Sequence, residues 1–300
     1  KTICRLIDPV RPGITPGSGP AHLALFGYNP LEYVIGRGIL SALGVNFPIK
    51  QGDVAARINF ATVNYEGIIV DRRAGRLPTK QSSLLCEKLE QIKFNEVAIF
   101  VKPEKEHRAV VIFRGQNLDG ALSDSDPQKE GLPAQPVKPM SSEAQYTADI
   151  VNQFIHQAKV LLATSFPANM LLLRGFAQYK PIPTITELYK LTPASISTYP
   201  MYQGVTKLMG LTVLPTGDTL QAEIETLIEN YDQYDFFFLH IKKTDTNGED
   251  GNFEGKVAAL EEIDRYFPEI INLKPDVLIF TGDHSTPALM KAHSWHPVPI

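Results

Sequence analysis

Asp235-Phe236-Phe237-Phe238-Leu239-His240-Ile241 is an apolar run of strand length, and soon after it comes Lys243-Thr244-Asp245-Thr246-Asn247-Gly248-Glu249-Asp250-Gly251. Downstream, Asp276-Val277-Leu278-Ile279-Phe280 opens in the same way onto Thr281-Gly282-Asp283-His284-Ser285-Thr286-Pro287. Each stretch joins a strand candidate to a turn that carries metal-competent side chains. Helical patterns stand between the strands, at 142–164, 185–191, 220–231 and 254–267, with further strands expected at 170–173 and 196–199. Apolar strands alternating with helices predict a parallel sheet covered on both faces. Such sheets bind ligands at the carboxyl ends of their strands, where the two polar turns fall.

The upstream texture differs. Residues 53–63 alternate Val54, Ala56, Ile58 and Phe60 on one face, the pattern of a half-buried strand, with 67–71 as its hairpin partner. Leu84, Leu85, Leu89 and Ile92 have helical spacing, and strands follow at 96–101 and 108–113. This β-β-α-β-β order predicts a compact α+β unit, closed by a Pro, Ser, Asp and Gly-rich loop at 116–140. Near the start, 13–20 is rich in turn residues, and 21–26 reads as a short helix with Pro20 at its first position. The expected organisation is therefore a core of 1–47 plus 141–300, interrupted by a smaller domain at 48–140. Two units also suit 300 residues at roughly 150 per domain.

Composition narrows the function. Hydrophobic residues make up 43% and charged residues 21%, which excludes wholesale disorder. A formal charge of −4 argues against a nucleic-acid binder. No apolar run approaches the roughly 18 residues of a membrane span. Two distant cysteines, Cys4 and Cys86, form no disulfide framework, so a reducing, cytoplasmic setting is expected. Oligomeric state is left open. The chain starts on Lys1 rather than Met and ends in mid-pattern at Pro299-Ile300, which leads us to expect a fragment.

Three of the seven histidines, His284, His293 and His296, fall just after the 276–280 strand. An adjacent Asp283-His284 pair offers a hard oxygen and a borderline nitrogen, a set suited to Mn2+ or Zn2+. The plainer alternative makes Asp283 a turn cap and the histidines loop decoration. Arginines also cluster: Arg72, Arg73 and Arg76 at one hairpin end, Arg108 and Arg114 flanking a strand, Arg174 after another. Guanidinium groups bind carboxylate and phosphate in a two-pronged way, so the clustering suits a small multiply charged anion. Solvated strand ends are the plainer reading for Arg76 and Arg114. His107 and Lys207 are weaker candidates, His156 and His240 are expected to pack or face solvent, and His22 to support its loop.

The ordered combination of four segments resembles the cofactor-independent phosphoglycerate mutases of the alkaline phosphatase superfamily, most closely their archaeal-type branch. Thr281–Pro287 with Ala292-His293-Ser294 and Pro297-Val298-Pro299 is similar to the family's C-terminal metal motif. Pro16-Gly17-Ser18-Gly19-Pro20-Ala21-His22-Leu23 resembles its nucleophile loop, Asp71-Arg72-Arg73-Ala74-Gly75-Arg76 its arginine-rich motif, and Lys243–Gly251 a second metal motif. The resemblance implies an alkaline-phosphatase-like three-layer α/β/α core with an inserted α+β substrate-binding or lid domain, and an active site in the cleft between them.

It further implies Ser18 as phosphorylated nucleophile and metal ligand, Asp283 and His284 on one divalent ion, and Asp245, Glu249 and His293 on the other. His296 competes with His293 for that place, but His293 fits the motif's spacing from Pro297-Val298-Pro299 better. Many relatives carry His where Glu249 stands, and a carboxylate favours harder ions than imidazole does. Mn2+ is the expected ion, with Mg2+, Zn2+ and Co2+ as alternatives, and no 2,3-bisphosphoglycerate. Relatives also begin with an Asp-bearing strand and continue past the position of Ile300, so truncation is expected at both ends. Arg72, Arg73, Arg108, Arg174 and Lys207 would bind the substrate.

A serine hydroxyl is a weak nucleophile at neutral pH, but a pair of ions ~4 Å apart stabilises its alkoxide and the phosphoryl oxygens. A helix start adds backbone N–H groups for a phosphate, whereas the plainer role for Ser18 is an N-cap. The implied activity is interconversion of 2- and 3-phosphoglycerate in glycolysis and gluconeogenesis. Its rivals are a metal-dependent phosphomonoesterase or another phosphomutase, and a non-catalytic metal-binding relative.

Overall fold

The computed structural model describes residues 3–300; Lys1 and Thr2, where the expected core segment begins, lie outside the described residues. The chain divides into two compact units, one of Lys1–Val34 with Ile182–Ile300 and one of Ile35–Pro181. The first unit opens with β1 (Leu6–Ile7) and α1 (Ser18–Leu25).

The second unit contains α2 (Arg37–Gly44), β2 (Val54–Val63), β3 (Ile69–Asp71), α3 (Thr79–Leu89), β4 (Val97–Pro103), β5 (Arg108–Gly115), α4 (Gln145–Leu162) and β6 (Met170–Gln178). All its strand pairings are antiparallel. Strand β2 lies between β5 and β6, β4 continues beyond β5, and β3 pairs with the end of β2. Val54, Ala56, Ile58 and Phe60 face a core shared with Leu85, Leu89, Val151 and Phe154 from α3 and α4. The opposite face packs Ala55 and Ile112 on Ile39 and Ala42 of α2. So β2 is buried over nearly its whole length rather than half-buried. Gly38 permits this cover, because a Cβ there would collide with the backbone of Ala55 and Ala56.

Two expectations are corrected by this sheet. The 170–173 run is not part of a parallel sheet; it begins β6, which pairs antiparallel with β2 from Ala61↔Met170 to Val54↔Gln178. A central strand needs a partner on each edge, and β6 completes the ladder. The compact unit consequently extends past 140 to Pro181, taking in α4, whose Ala148, Val151, Phe154, Ala158 and Leu162 stripe is buried.

The first unit resumes with α5 (Ile185–Tyr189), β7 (Pro193–Ile196), α6 (Pro200–Leu208), β8 (Thr212–Val213), α7 (Leu220–Asn230), β9 (Phe236–Leu239), α8 (Lys243–Glu249), α9 (Phe253–Asn272) and β10 (Val298–Pro299). Strands β8, β7 and β9 form a parallel sheet in that order. Its core joins Ala194, Ile196, Leu214 and Leu227 to Phe237, Leu239 and Ile270. β1 pairs with β10. The strand expected at 196–199 lies at Pro193–Ile196 instead, where three residues pair in register with Phe236–Phe238 and Ile196 with Leu239. The 276–280 run is not a strand: it joins no described ladder, and Val277, Leu278, Ile279 and Phe280 are exposed. Apolarity alone does not make a strand, since its backbone groups still need a paired neighbour. The protein is thus a mixed α/β chain, and no described helix is long and apolar enough to cross a membrane.

Candidate metal centre and reactive serine

Helix α1 begins earlier than its sequence pattern suggests. Gly17 is the N-cap, with no side-chain cap bond, and Ser18 is the first helical residue. Pro20 is tolerated at the third position because first-turn N–H groups have no intrahelical partner. The N-cap role for Ser18 is therefore ruled out, and its buried hydroxyl is free to point elsewhere. Ser18 Oγ lies 3.2 Å from His284 Nε2 and 3.4 Å from the Tyr202 hydroxyl. One turn on, His22 Nδ1 donates to the Ser18 carbonyl at 2.6 Å and stands 3.6 Å from Asp283 Oδ2.

Asp283 completes this side. Its Oδ2 is buried, lacks a hydrogen bond, and sits 3.2 Å from His284 Nε2. Burial pushes its carboxyl up, but His22, His284 and His240 outweigh that and hold it below its ordinary range. Burial pushes His284 down, towards the neutral imidazole that can ligate.

The other side is built on α8. Asp245 is its third residue and Glu249 is four further on, so the two carboxylates share a face. Asp245 Oδ1 is 3.6 Å from His293 Nε2 and 3.9 Å from His284 Nδ1, and Glu249 Oε1 is 3.4 Å from His293 Nε2. The hydrogen bond with Glu249 raises His293 and lowers Glu249. Donor atoms of Asp245, His284 and His293 all lie within 4.8 Å of one another. Lys242 donates to Asp245 Oδ2, and Thr286 Oγ1 donates to Asp245 Oδ1 at 2.5 Å. Burial raises Asp245, but Lys242 and these bonds leave its pKa lowered. Gly248 allows the approach of α8, since a Cβ there would strike Thr286.

The first unit thus brings together Ser18, Asp245, Glu249, Asp283, His284 and His293. His296 stays apart, bonded to Ser294 Oγ at 2.9 Å and stacked on Trp295. The donor set fits a hard or borderline divalent ion, and the orphaned Asp283 Oδ2 beside an imidazole nitrogen is an arrangement that such an ion satisfies. Sequence reading missed Tyr202, Lys242 and Thr286, and expected His240 only to pack or face solvent. His240 does pack, with its ring stacked 3.5 Å from that of Tyr202. Thr286 was legible within the 281–287 motif; Tyr202 carried no local signal.

The arginines gather within the second unit. Arg72 grips Asp126 at 3.0 and 2.6 Å, and Arg174 Nε lies 3.5 Å from the same carboxylate. Arg73 begins a tight turn in which its own N–H and that of Gly75 donate to the Asp71 carboxylate. Arg108 is 4.0 Å from Glu106. Arg114 instead makes a two-pronged bond to buried Asp53. Arg57, which the sequence reading passed over, sits opposite Arg174 in the β2–β6 register; its Nε is buried without a hydrogen bond and lies 3.6 Å from Glu104 Oε2. Its signal was a charge inside an otherwise apolar strand. His107 is buried, and burial with Arg108, Arg57, Arg73 and Arg76 around it pushes its pKa down to about 3. Lys207 lies on α6 of the first unit, its pKa lowered by burial.

A mixed α/β protein with a buried serine facing carboxylates and imidazoles has the makings of a metal-assisted phosphoryl-transfer enzyme. A family model for the 2,3-bisphosphoglycerate-independent phosphoglycerate mutases matches residues 1–168. A Thermus thermophilus protein named "Probable 2,3-bisphosphoglycerate-independent phosphoglycerate mutase" is 50% identical, covering 98% of this chain and 74% of its own. A Thermotoga maritima protein of the same name is 50% identical over 97% and 73%. Among solved structures, the cofactor-independent phosphoglycerate mutase from Thermoplasma acidophilum matches with a TM-score of 0.62 and 31% identity, over 89% of this chain and 72% of that one. The PH0037 protein from Pyrococcus horikoshii matches with 0.78 and 27%, over 99% and 76%. The chain belongs to the 2,3-bisphosphoglycerate-independent phosphoglycerate mutase family, and its activity is that of an isomerase acting on phosphoglycerate.

Proposed function

We propose that the reaction runs through phosphorylated Ser18 on an alkaline-phosphatase-like core. The observation that carries this reading is the approach of Ser18 Oγ, released from capping, to His284 Nε2 at 3.2 Å. Ser18, Asp283 and His284 would hold one divalent ion, and Asp245, Glu249 and His293 a second. Mn2+ suits this oxygen-rich set. When bound, such ions supply charge that stabilises a serine alkoxide and the transferring phosphoryl oxygens.

The chain's own residues do the rest. Ser18 Oγ attacks phosphorus as the bond to the glycerate oxygen breaks; the serine proton is given up and the leaving oxygen gains one. The reverse step at the other hydroxyl restores Ser18. The first-turn N–H groups of α1 face an anion at Ser18. His22, bonded to the Ser18 carbonyl, keeps that turn rigid. Arg72, Arg73, Arg108, Arg174 and Lys207 are assigned to the substrate's charges, the four arginines all belonging to the unit of Ile35–Pro181. Water must be kept from the phosphoserine, or transfer becomes hydrolysis. Two cysteines far apart in sequence, Cys4 and Cys86, support a cytoplasmic setting.

Incubating the protein with 3-phosphoglycerate and Mn2+ tests the reading. Formation of 2-phosphoglycerate with little free phosphate, and an acid-stable phosphate on Ser18, are expected. Free phosphate without 2-phosphoglycerate would instead make the protein a phosphomonoesterase.

A further inference from the structure

We propose that Thr286 is a positioning residue which sets the tautomer of His284 and so decides which nitrogen faces Ser18. The proposal rests on the reading of Asp245 and His284 as ligands of divalent ions. Thr286 is 3% exposed, and its carbonyl accepts from Lys256 Nζ at 2.7 Å, so its side chain is held between α8 and the start of α9. Its hydroxyl bridges two groups: Oγ1 donates to Asp245 Oδ1 at 2.5 Å and lies 3.0 Å from His284 Nδ1.

Proton counting fixes the direction of that bridge. A hydroxyl has one proton to give, and an ionised carboxylate only accepts. Asp245 also takes the Lys242 ammonium on Oδ2, the contact expected of a carboxylate. The Thr286 proton therefore goes to Asp245, and the Oγ1 lone pair is left to accept from His284 Nδ1–H. A neutral imidazole carries a single N–H, which leaves Nε2 bare. Nε2 is the atom 3.2 Å from both Ser18 Oγ and Asp283 Oδ2.

Without the hydroxyl, the tautomer balance inverts. An Nε2–H proton would find Asp283 Oδ2 already 3.2 Å away, whereas Asp245 Oδ1, 3.9 Å from Nδ1, lies beyond hydrogen-bond reach. The nitrogen that faces the serine would then carry a proton that ligation must first remove. The bridge also separates the roles of two stacked rings. His284 and His293 lie 3.6 Å apart, yet Thr286 turns His284 towards Ser18 and Asp283 while His293 serves Asp245 and Glu249. Partners that orient a ligand in this way are typically worth about 10–100-fold in metal affinity.

The test uses the full 300-residue chain and its variants at Thr286 and His284, with Mn2+ alone as probe. Imidazole 15N shifts of the metal-free protein, assigned to His284 by difference against His284→Gln, report the tautomer; calorimetric titration reports affinity. Wild type and Thr286→Ser are expected to hold the Nδ1–H form and bind Mn2+ within about 3-fold of each other, whereas Thr286→Val shifts to Nε2–H and loses about 10–100-fold. Thr286→Ala serves the same comparison if the valine variant fails to fold. The proposal is overturned if the valine or alanine variant keeps the wild-type tautomer and affinity, or if serine loses as much as valine. A wild-type protein that takes up no Mn2+ would overturn the metal reading instead, and the metal-free tautomer measurement would still decide the role of Thr286.

Discussion

Ser18 and His284, 266 positions apart in the chain, meet with Oγ 3.2 Å from Nε2. This contact carries the first prediction. Ser18→Ala should reduce phosphoglycerate mutase turnover by at least about 10^4-fold, the scale seen when a covalent nucleophile is removed. Mn2+ should still bind, because Asp245, Glu249, Asp283, His284 and His293 remain. Turnover and calorimetric titration on the same preparation check both halves; retained activity would remove Ser18 from its role.

Metal removal should be visible as stability. An ion that binds only the folded state stabilises it by about 2.7 kcal/mol at 100 times its Kd. Stripping with EDTA should therefore lower the Tm, and Mn2+ should restore it. His293→Ala should shrink the increment, since its imidazole faces both Asp245 and Glu249. An identical Mn2+ response in that variant would contradict the site.

Arg114 has a structural task. Its guanidinium lies 5.4 and 5.1 Å from the ring centroids of Phe47 and Phe100 and grips Asp53, whose side chain is 2% exposed. Arg114→Ala should cost about 3–5 kcal/mol, because a buried carboxylate would lose its charge partner. Urea unfolding of the variant measures this; a loss below about 1 kcal/mol would class the pair with ordinary surface bridges.

Glu223 on α7 should give a pH signature. Burial, with the charge of Asp218, raises its pKa from 4.5 to about 7. Since the folded-state value lies above the unfolded one, its contribution is fully present below pH 4.5 and lost as pH rises through about 7. Glu223→Gln should thus melt higher than wild type at pH 8 and lose that advantage at pH 5. Parallel melts at the two pH values decide it, and equal differences at both would refute the buried charge.

Much of the chemistry was readable from residue order. Asp283-His284 and Asp245 with Glu249 stood out because potential ligands are rare, and here they crowd two short stretches. What escaped was whatever depends on approach through space. Tyr202 reaches Ser18 from a helix 184 positions away. Arg57 meets Arg174 only when β2 lies beside β6. The 254–267 pattern suggested a stop before Pro268, yet α9 continues through it to Asn272.

Taken alone, the order of residues determined periodicity, turn chemistry and the supply of ligating groups, all governed by interactions within a few positions of the chain. Tertiary structure decided that 170–173 joins an antiparallel ladder and that 276–280 pairs with no described strand. Those outcomes depend on which distant backbone satisfies a strand edge and which side chains share a desolvated space. Alternatives with the same local pattern differ only in such long-range terms.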